Sequence, residues 1–171
     1  FYLDKETNAP HYYSVGKKTQ DMVLYAKFNL KEESSFRNRM IGGVFTGSNH
    51  SDFSDACLLH QIVDTPKVSY QVAYPQSRKR YRYIRYTSTP EKTLQLAELQ
   101  LFRKVDDQEK ITAKVIDGSN AFIADDRFDR FKVNDGDGLT FFLTKEKGAF
   151  VTLDLGKPEK IEKIVYMPRN D

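Results

Sequence analysis

The sequence has no tryptophan and a single cysteine, Cys57, among its 171 residues. One cysteine excludes an internal disulfide framework. A strong excess of one charge is also lacking, because 27 Lys and Arg stand against 24 Asp and Glu, a net charge of +3. This balance does not supply the concentrated basic surface of a nucleic-acid-binding protein, so we expect no nucleic-acid partner. The apolar runs are only a few residues long, and we therefore expect no transmembrane segment.

The common catalytic signatures are missing as well. The sequence has no Gly-x-Ser-x-Gly, no His-Glu-x-x-His and no phosphate-binding loop. Its acidic residues show no paired arrangement of the kind a glycosidase uses. We therefore expect a protein that is not an enzyme. The chain starts at Phe1 without Met or signal peptide, and we expect it to be a piece of a longer protein.

Short strand-like segments follow one another along the chain. They are separated by clusters of Asn, Asp, Ser, Pro and Gly, which favours a β-sandwich or barrel. Arg80–Thr87 alternates arginine and tyrosine, the pattern of a half-buried strand. Segment 40–47 contains three glycines, which indicate a bulge or a close backbone approach. The other strand-like segments are 11–16, 22–29, 57–62, 68–74, 149–155 and 161–167.

Thr93–Phe102 leaves two alternatives open. Its four leucines alternate with other residues, but the parity of the alternation changes at Ala97 and Glu98. A helix is one explanation, and a strand with a β-bulge is the other. A bulge re-aims a side chain and often lies beside a functional site. The strand-like Arg80–Thr87 just before this segment favours the bulged strand.

Two short stretches recur at the same spacing. Residues 1–6 (FYLDKE) are similar to 141–146 (FFLTKE), and 13–17 (YSVGK) is similar to 153–157 (LDLGK), each pair 140 residues apart. A period this long does not fit a solenoid but fits tandem copies of one module. The chain would then begin inside one copy and end inside the next.

Six motifs occur in a consistent order along the two copies. They are 45–49 (FTGSN), 82–86 (RYIRY) and 97–101 (AELQL) in the first, and 135–140 (DGDGLT), 153–158 (LDLGKP) and 161–169 in the second. In this order they resemble the discoidin, or coagulation-factor type C, domain, as repeated in bacterial surface and secreted proteins. The resemblance implies an all-β fold, a galactose-binding-like jelly-roll β-sandwich.

The repeat and the resemblance together predict the domain organisation. Residues 1–105 correspond to a discoidin-like module without its first strands, 106–110 to a linker, and 111–171 to the N-terminal half of a second module. Half a sandwich would expose its inner face, which is an aggregation hazard. We therefore expect the missing half to lie outside the chain or to come from another segment. Residues 111–171, if followed by residues 1–105, would contain every motif of the discoidin domain, so this chain holds the motifs in permuted order.

The loop 135–140 clusters hard oxygen atoms in a tight turn with glycine, an arrangement that suits calcium. The alternative is a plain turn with solvated carboxylates. The resemblance implies one structural Ca²⁺ per module, held by this loop and by an Ala-Glu pair near the module's end. In this sequence Asp135, Asp137 and Thr140 would be ligands in the second copy, and Glu98 and the carbonyl of Ala97 would be ligands in the first, so each copy would hold only part of its site.

The resemblance also implies glycan binding, in which Arg or Asn side chains bind sugar hydroxyls and an aromatic residue stacks on the ring. The candidate residues are Arg37, Asn38, Arg39, His11, Tyr12, Arg169 and Asn170. The expected function is non-catalytic binding of galactose-type or related glycans by a module of a larger secreted or cell-surface protein. The alternative is a structural spacer or protein-interaction sandwich beside an enzyme, such as a glycoside hydrolase or transglutaminase-like domain. The lack of tryptophan favours this alternative.

Overall fold

The computed structural model describes residues 2–3, 10–11, 36–67, 69–124 and 126–169. Within them, antiparallel strands form two larger sheets around one hydrophobic core, and the only helices are short 3₁₀ helices. The predicted β-sandwich is confirmed. None of the described helices has the length and apolarity needed to cross a membrane. The predicted strands in 11–16 and 22–29 lie outside the described residues, apart from His11.

The strands are numbered in chain order. A short pair, β1 and β2, precedes the sandwich strands β3 to β11. The bounds are β1 Tyr2–Leu3, β2 Pro10–His11, β3 Val44–Ser48, β4 Cys57–Gln61, β5 Gln71–Ala73, β6 Arg80–Thr87, β7 Thr93–Phe102, β8 Lys114–Gly118, β9 Phe142–Lys147, β10 Phe150–Lys160 and β11 Lys163–Pro168. The 3₁₀ helices are Phe36–Met40, Asp126–Phe128 and Arg130–Asn134.

Both large sheets combine strands that are distant in the sequence. The five-stranded sheet has the order β4-β3-β6-β10-β8, and the four-stranded sheet has the order β5-β11-β7-β9. Segments 1–105 and 111–171 therefore each contribute strands to both sheets. The described strands of 111–171 have their inner faces covered by those of 1–105, which share their core. The assignment of the two segments to two copies of a module stays a prediction.

β7 is a strand with a bulge, so the helical alternative for Thr93–Phe102 was wrong. Along β11, Met167 pairs with Glu98 and Pro168 pairs with Leu96, which leaves Ala97 as the extra residue. Two consecutive side chains, those of Ala97 and Glu98, thus separate Leu96 from the next core-facing leucine, Leu99. This bulge is the physical cause of the change in leucine alternation along Thr93–Phe102.

The glycines of β3 and the turn before it allow close approach of tyrosine rings. A Cβ atom on Gly47 would lie 2.6 Å from Cγ of Tyr81, and one on Gly43 would lie 2.5 Å from the hydroxyl of Tyr86. Both tyrosines are buried in the core. The close approach predicted from the glycine pattern is confirmed, because a side chain at either position would meet a tyrosine ring.

One ion pair fixes the end of β10 to the end of β7. Arg103 donates from Nη2 to Oε1 of Glu159 at 3.0 Å and from Nε to Oε2 at 3.3 Å. These hydrogen bonds lower the pKa of the Glu159 carboxyl below its usual range. A lowered carboxyl pKa stabilises the fold at neutral pH, and this stabilisation disappears as the pH falls through the folded-state value.

We expect Glu159→Gln to lower the free energy of unfolding by about 1 kcal/mol at pH 7, because one partner is buried and the other is half exposed. The difference from wild type should shrink at a pH well below about 4.3, the ordinary pKa of Glu, where both proteins carry an uncharged side chain. Urea unfolding at both pH values measures this. The exposed Glu146→Gln is the control. A difference that does not change with pH would contradict the ion-pair explanation.

Candidate functional site

The loop 135–140 forms a compact turn closed by its own side chains. Oδ1 of Asp135 accepts a hydrogen bond from the backbone N–H of Asp137 at 2.9 Å, and Oδ2 accepts one from the Thr140 hydroxyl at 2.8 Å. Oδ1 of Asp137 accepts from the N–H of Leu139 at 2.9 Å. Gly136 has a φ of +88°, a left-handed conformation that glycine adopts without steric cost. The three predicted loop ligands therefore lie within one turn.

Glu98 joins this turn from β7, because the bulge at Ala97 aims it away from the core leucines. Its Oε1 accepts a hydrogen bond from the N–H of Gly136 at 3.0 Å. Its Oε2 is buried and has no hydrogen-bond partner among the described residues, and the whole side chain is inaccessible to solvent. Burial raises the pKa of the Glu98 carboxyl, and the negative charge of Asp135 adds to this effect. The N–H of Gly136, the positive charge of Lys110 and the Gln100 side chain oppose it.

The unpartnered Oε2 is the observation that fits a cation. A buried carboxylate oxygen without a hydrogen-bond donor is costly, and a divalent cation would satisfy it. No three Asp, Glu, His or Cys side chains form a metal-binding group within the described part of the chain. A cation here would therefore also need hydroxyl or carbonyl oxygens, such as those predicted at Thr140 and Ala97. Ca²⁺ accepts such mixed oxygen ligands.

A cavity of about 410 Å³ lies on the outer face of the four-stranded sheet, and we call it the arginine cavity. Its lining includes Arg39 and Arg169, two of the predicted glycan-binding residues. The face follows from strand geometry, because Leu143 in the lining adjoins the core residue Phe142, and successive side chains point to opposite sides. The lining residues are Arg39, Thr93, Gln95, Phe122, Ile123, Phe128, Leu143, Thr144, Lys145 and Arg169.

Aromatic rings position Arg169 in this cavity. Its guanidinium carbon lies 3.9 Å from the centroid of the Phe36 ring and 4.4 Å from that of Phe141. Arg39 approaches from the Phe36–Met40 helix, and its Nη1 donates to the hydroxyl of Thr93 at 3.1 Å. Contacts between a guanidinium and aromatic faces are attractive and restrict the rotamers of the arginine. The two arginines are thus held at one cavity by defined contacts.

The arginine cavity also contains an acceptor and an aromatic wall. Gln95 is almost fully buried, and its Oε1 has no hydrogen-bond partner among the described residues. Its Nε2 donates to the hydroxyl of Thr93 at 3.3 Å. The Phe122 side chain is 43% exposed, which is a large exposed area for an aromatic residue. The cavity therefore combines hydrogen-bond donors, one unsatisfied acceptor and an accessible ring.

The other predicted glycan residues do not line this cavity. Nη1 of Arg37 donates to the carbonyl of Pro66 at 3.1 Å, and Oδ1 of Asn38 accepts from the hydroxyl of Thr65 at 2.8 Å. Both side chains therefore contact the loop that follows β4. His11 is described only as part of the short strand β2. Tyr12 and Asn170 lie outside the described residues.

Sequence reasoning missed Phe36, Gln95 and Phe122. Gln95 lies in a strand whose leucines dominated the pattern, and Phe122 lies in a polar stretch without periodicity. An aromatic residue in such a polar stretch is the one signal that could have indicated an exposed ring. Phe36 lies in a 3₁₀ helix, which strand periodicity does not detect.

The predicted metal site and the arginine cavity are adjacent. Thr140 belongs to the loop, and the next residue, Phe141, contacts the guanidinium of Arg169. Phe141 packs with Ala97 and Met167 in a small cluster on this outer face. A change in the conformation of the loop 135–140 would therefore alter the position of Arg169 through one side chain, that of Phe141.

A larger cavity of about 570 Å³ lies elsewhere, between the 74–78 loop and the end of β10. None of the predicted ligand residues lines it. Two of its charged residues, Lys160 and Glu162, form an ion pair with each other. Its charged groups are thus partly neutralised, and the arginine cavity is the better candidate. No family model, curated protein or solved structure matches the chain.

Proposed function

We propose that this chain is a non-catalytic carbohydrate-binding module of a larger secreted or cell-surface protein. In this proposal its sandwich is a discoidin-like, galactose-binding-like jelly roll, and it binds galactose-type or related glycans in the arginine cavity. The observation that carries the proposal is the meeting of Arg39 and Arg169 in one cavity. Both residues are expected sugar contacts, and they are 130 residues apart in the sequence.

Each group in the cavity has a role in such binding. The guanidinium groups of Arg39 and Arg169 donate hydrogen bonds to sugar hydroxyls. The Oε1 of Gln95 accepts one from a hydroxyl after a small rotation of the side chain. Phe122 stacks on the apolar face of the sugar ring. A shallow site of this kind binds weakly, with a Kd on the order of 1 mM and a free energy of about −4 kcal/mol. Repeated modules would raise the strength of attachment through avidity.

Calcium has a structural role in this proposal. The carboxylates of Asp135, Asp137 and Glu98 would hold Ca²⁺ together with oxygen atoms of Thr140 and Ala97. The ion would fix the loop, and through Phe141 it would fix Arg169. It would not touch the sugar.

The test is a glycan array probed with the full 171-residue chain, in CaCl₂ and in EGTA. We expect binding to galactose-containing glycans in calcium and weaker binding in EGTA, since the loop then no longer orders Phe141. Circular dichroism and size-exclusion chromatography of the same sample establish that the protein is folded. A folded protein that binds no glycan would contradict the proposal.

A specific observation favours the second candidate, a spacer or protein-interaction module beside an enzyme domain. Among the described strands, β5 lies at an edge of the four-stranded sheet, and three apolar side chains in and around it are exposed, those of Tyr70, Val72 and Tyr74. An exposed strand edge with apolar side chains is a surface on which another polypeptide can add a strand. If the folded protein binds no glycan on the array, this candidate is favoured.

A further inference from the structure

The outer side of β5 carries a row of exposed apolar side chains. Tyr70, Val72 and Tyr74 are exposed and alternate with Gln71 and the core residue Ala73, so all three point to the outer face of the four-stranded sheet. Among the described strands, β11 is the only partner of β5. Natural proteins protect an open sheet edge with charged residues or proline, and β5 contains neither. This edge is therefore suited to pairing with another strand.

One end of this row is acidic. A Cβ atom on Gly138 would lie 3.7 Å from the hydroxyl of Tyr70, so the loop 135–140 adjoins the Tyr70 end. Asp135 of this loop has a lysine amine 3.9 Å away. Asp137 is exposed and forms no ion pair within the part of the chain that the structure describes. Asp137 is therefore the acidic group available beside Tyr70.

The other end of the row is basic. Arg78 is exposed and lines the cavity of about 570 Å³ together with Tyr74. The other two charged residues in this lining, Lys160 and Glu162, form an ion pair with each other. Arg78 has no ion pair with any other described residue. The apolar row thus ends in groups of opposite charge, Asp137 beside Tyr70 and Arg78 beside Tyr74.

We propose that β5 pairs in the antiparallel direction with β5 of a second copy of this chain, about a two-fold axis at Val72. Residues equally distant from Val72 then face each other, so Tyr70 meets the partner's Tyr74 and Arg78 approaches the partner's Asp137. Aromatic pairs and opposite charges across neighbouring strands stabilise a sheet. A two-fold interface must be complementary to itself, and a row with an apolar centre and oppositely charged ends meets this condition.

The pairing has a geometric consequence for the arginine cavity. The two four-stranded sheets become one sheet of eight strands, in which both copies of Val72 point to the same face. The two arginine cavities therefore lie on one face, and the outermost strands, the two copies of β9, are roughly 34 Å apart at about 4.8 Å per strand. Two weak sites on one face can bind a repetitive ligand with avidity. The pairing itself does not rest on the proposed function.

Sedimentation velocity of the full chain tests the pairing in EGTA, which keeps Asp137 free of calcium. We expect a dimer that forms reversibly as the protein concentration rises. Val72→Lys should raise its Kd about tenfold or more, because it places like charges directly opposite each other. Val63→Lys is the control, because Val63 is more exposed than Val72 and follows β4 in the other sheet, and this variant should dimerise like the wild type. Circular dichroism establishes that each variant is folded.

Two charge reversals test the orientation. Arg78→Glu and Asp137→Lys should each raise the dimer Kd about three- to tenfold, because each places like charges at both ends of the interface. An equimolar mixture of the two variants should dimerise as well as the wild type, since a heterodimer has an attractive pair at each end. A general effect of either substitution on the fold would not produce this recovery.

Three outcomes would overturn the inference. They are a wild type that stays monomeric at every concentration, a Val72→Lys dimer as stable as that of the wild type, and a mixture that associates no better than either variant alone. None of them affects the carbohydrate-binding proposal, whose test is the glycan array. A dimer that forms as expected in a protein that binds no glycan would contradict that proposal and leave this inference in place.

Discussion

Glu98→Gln is expected to abolish the stabilisation of this protein by calcium without destabilising the calcium-free form. In the wild type, the buried Oε2 of Glu98 has no hydrogen-bond partner within the part of the chain that the structure describes, and Ca²⁺ would supply one. At a calcium concentration of 100 times Kd, a ligand that binds only the folded state stabilises it by about 2.7 kcal/mol. For a chain of this size, this corresponds to an increase in Tm of roughly 5–10 °C. The glutamine keeps an oxygen for the N–H of Gly136 and removes the buried charge.

Thermal unfolding in CaCl₂ and in EGTA measures this difference. Glu146→Gln is the matched control, because Glu146 is an exposed carboxylate outside the 135–140 loop, and this variant should keep the full calcium shift. If the increase in Tm caused by calcium persists in Glu98→Gln, the ion binds at another site. Absence of any shift in the wild type would favour the plain turn over the metal site.

Arg169→Lys should reduce glycan affinity about tenfold or more, although it keeps the positive charge. Lysine replaces the planar guanidinium with a point charge, so it loses paired hydrogen bonds to the sugar and the close contacts with Phe36 and Phe141. Hydrogen bonds from charged donors contribute about 1.5–3 kcal/mol each, and about 1.4 kcal/mol is a factor of ten in Kd.

The control for this variant is Arg37→Lys. Arg37 lies in the same 3₁₀ helix as Arg39, but its Nη1 donates to the carbonyl of Pro66 and the residue does not line the arginine cavity. The Arg37→Lys variant should therefore bind glycans with the same affinity as the wild type. The two variants are compared by calorimetry with the strongest array ligand. Equal losses in both, or no loss in Arg169→Lys, would contradict the assignment of the site.

Local patterns in the sequence predicted several parts of this structure. The parity change at Ala97 and Glu98 left a helix and a bulged strand open, and the strand-like Arg80–Thr87 before it favoured the bulge, which changes the alternation of neighbouring side chains in the sequence itself. The glycines of segment 40–47 predicted a bulge or a close backbone approach, and tyrosine rings approach the backbone closely at Gly43 and Gly47. The composition of 135–140 predicted a tight turn with oxygen-bearing side chains, and the contacts of Asp135, Asp137 and Thr140 have this character.

Long-range arrangement could not be read from the same patterns. Periodicity indicates that β6 and β10 are strands, but it does not indicate that they pair with each other. The meeting of Arg39 with Arg169 depends on another such pairing, that of β7 with β11 in the four-stranded sheet. The 3₁₀ helix that carries Phe36 is too short to produce a periodic signal. The cavity therefore emerged only from the assembled sandwich, whereas the loop was visible in the sequence.

The interior positions of β10 and β11 have a consequence for biosynthesis. These two strands follow every other described strand in the chain, and each lies between two partners in its sheet. Until they leave the ribosome, β6 and β7 each lack one partner, β5 and β8 lack the one partner that each has among the described strands, and the nascent chain cannot complete either layer. Contacts between such distant segments make folding slow and expose strand edges to aggregation. The risk of misassembly is therefore greatest during translation, shortly before the last two strands emerge.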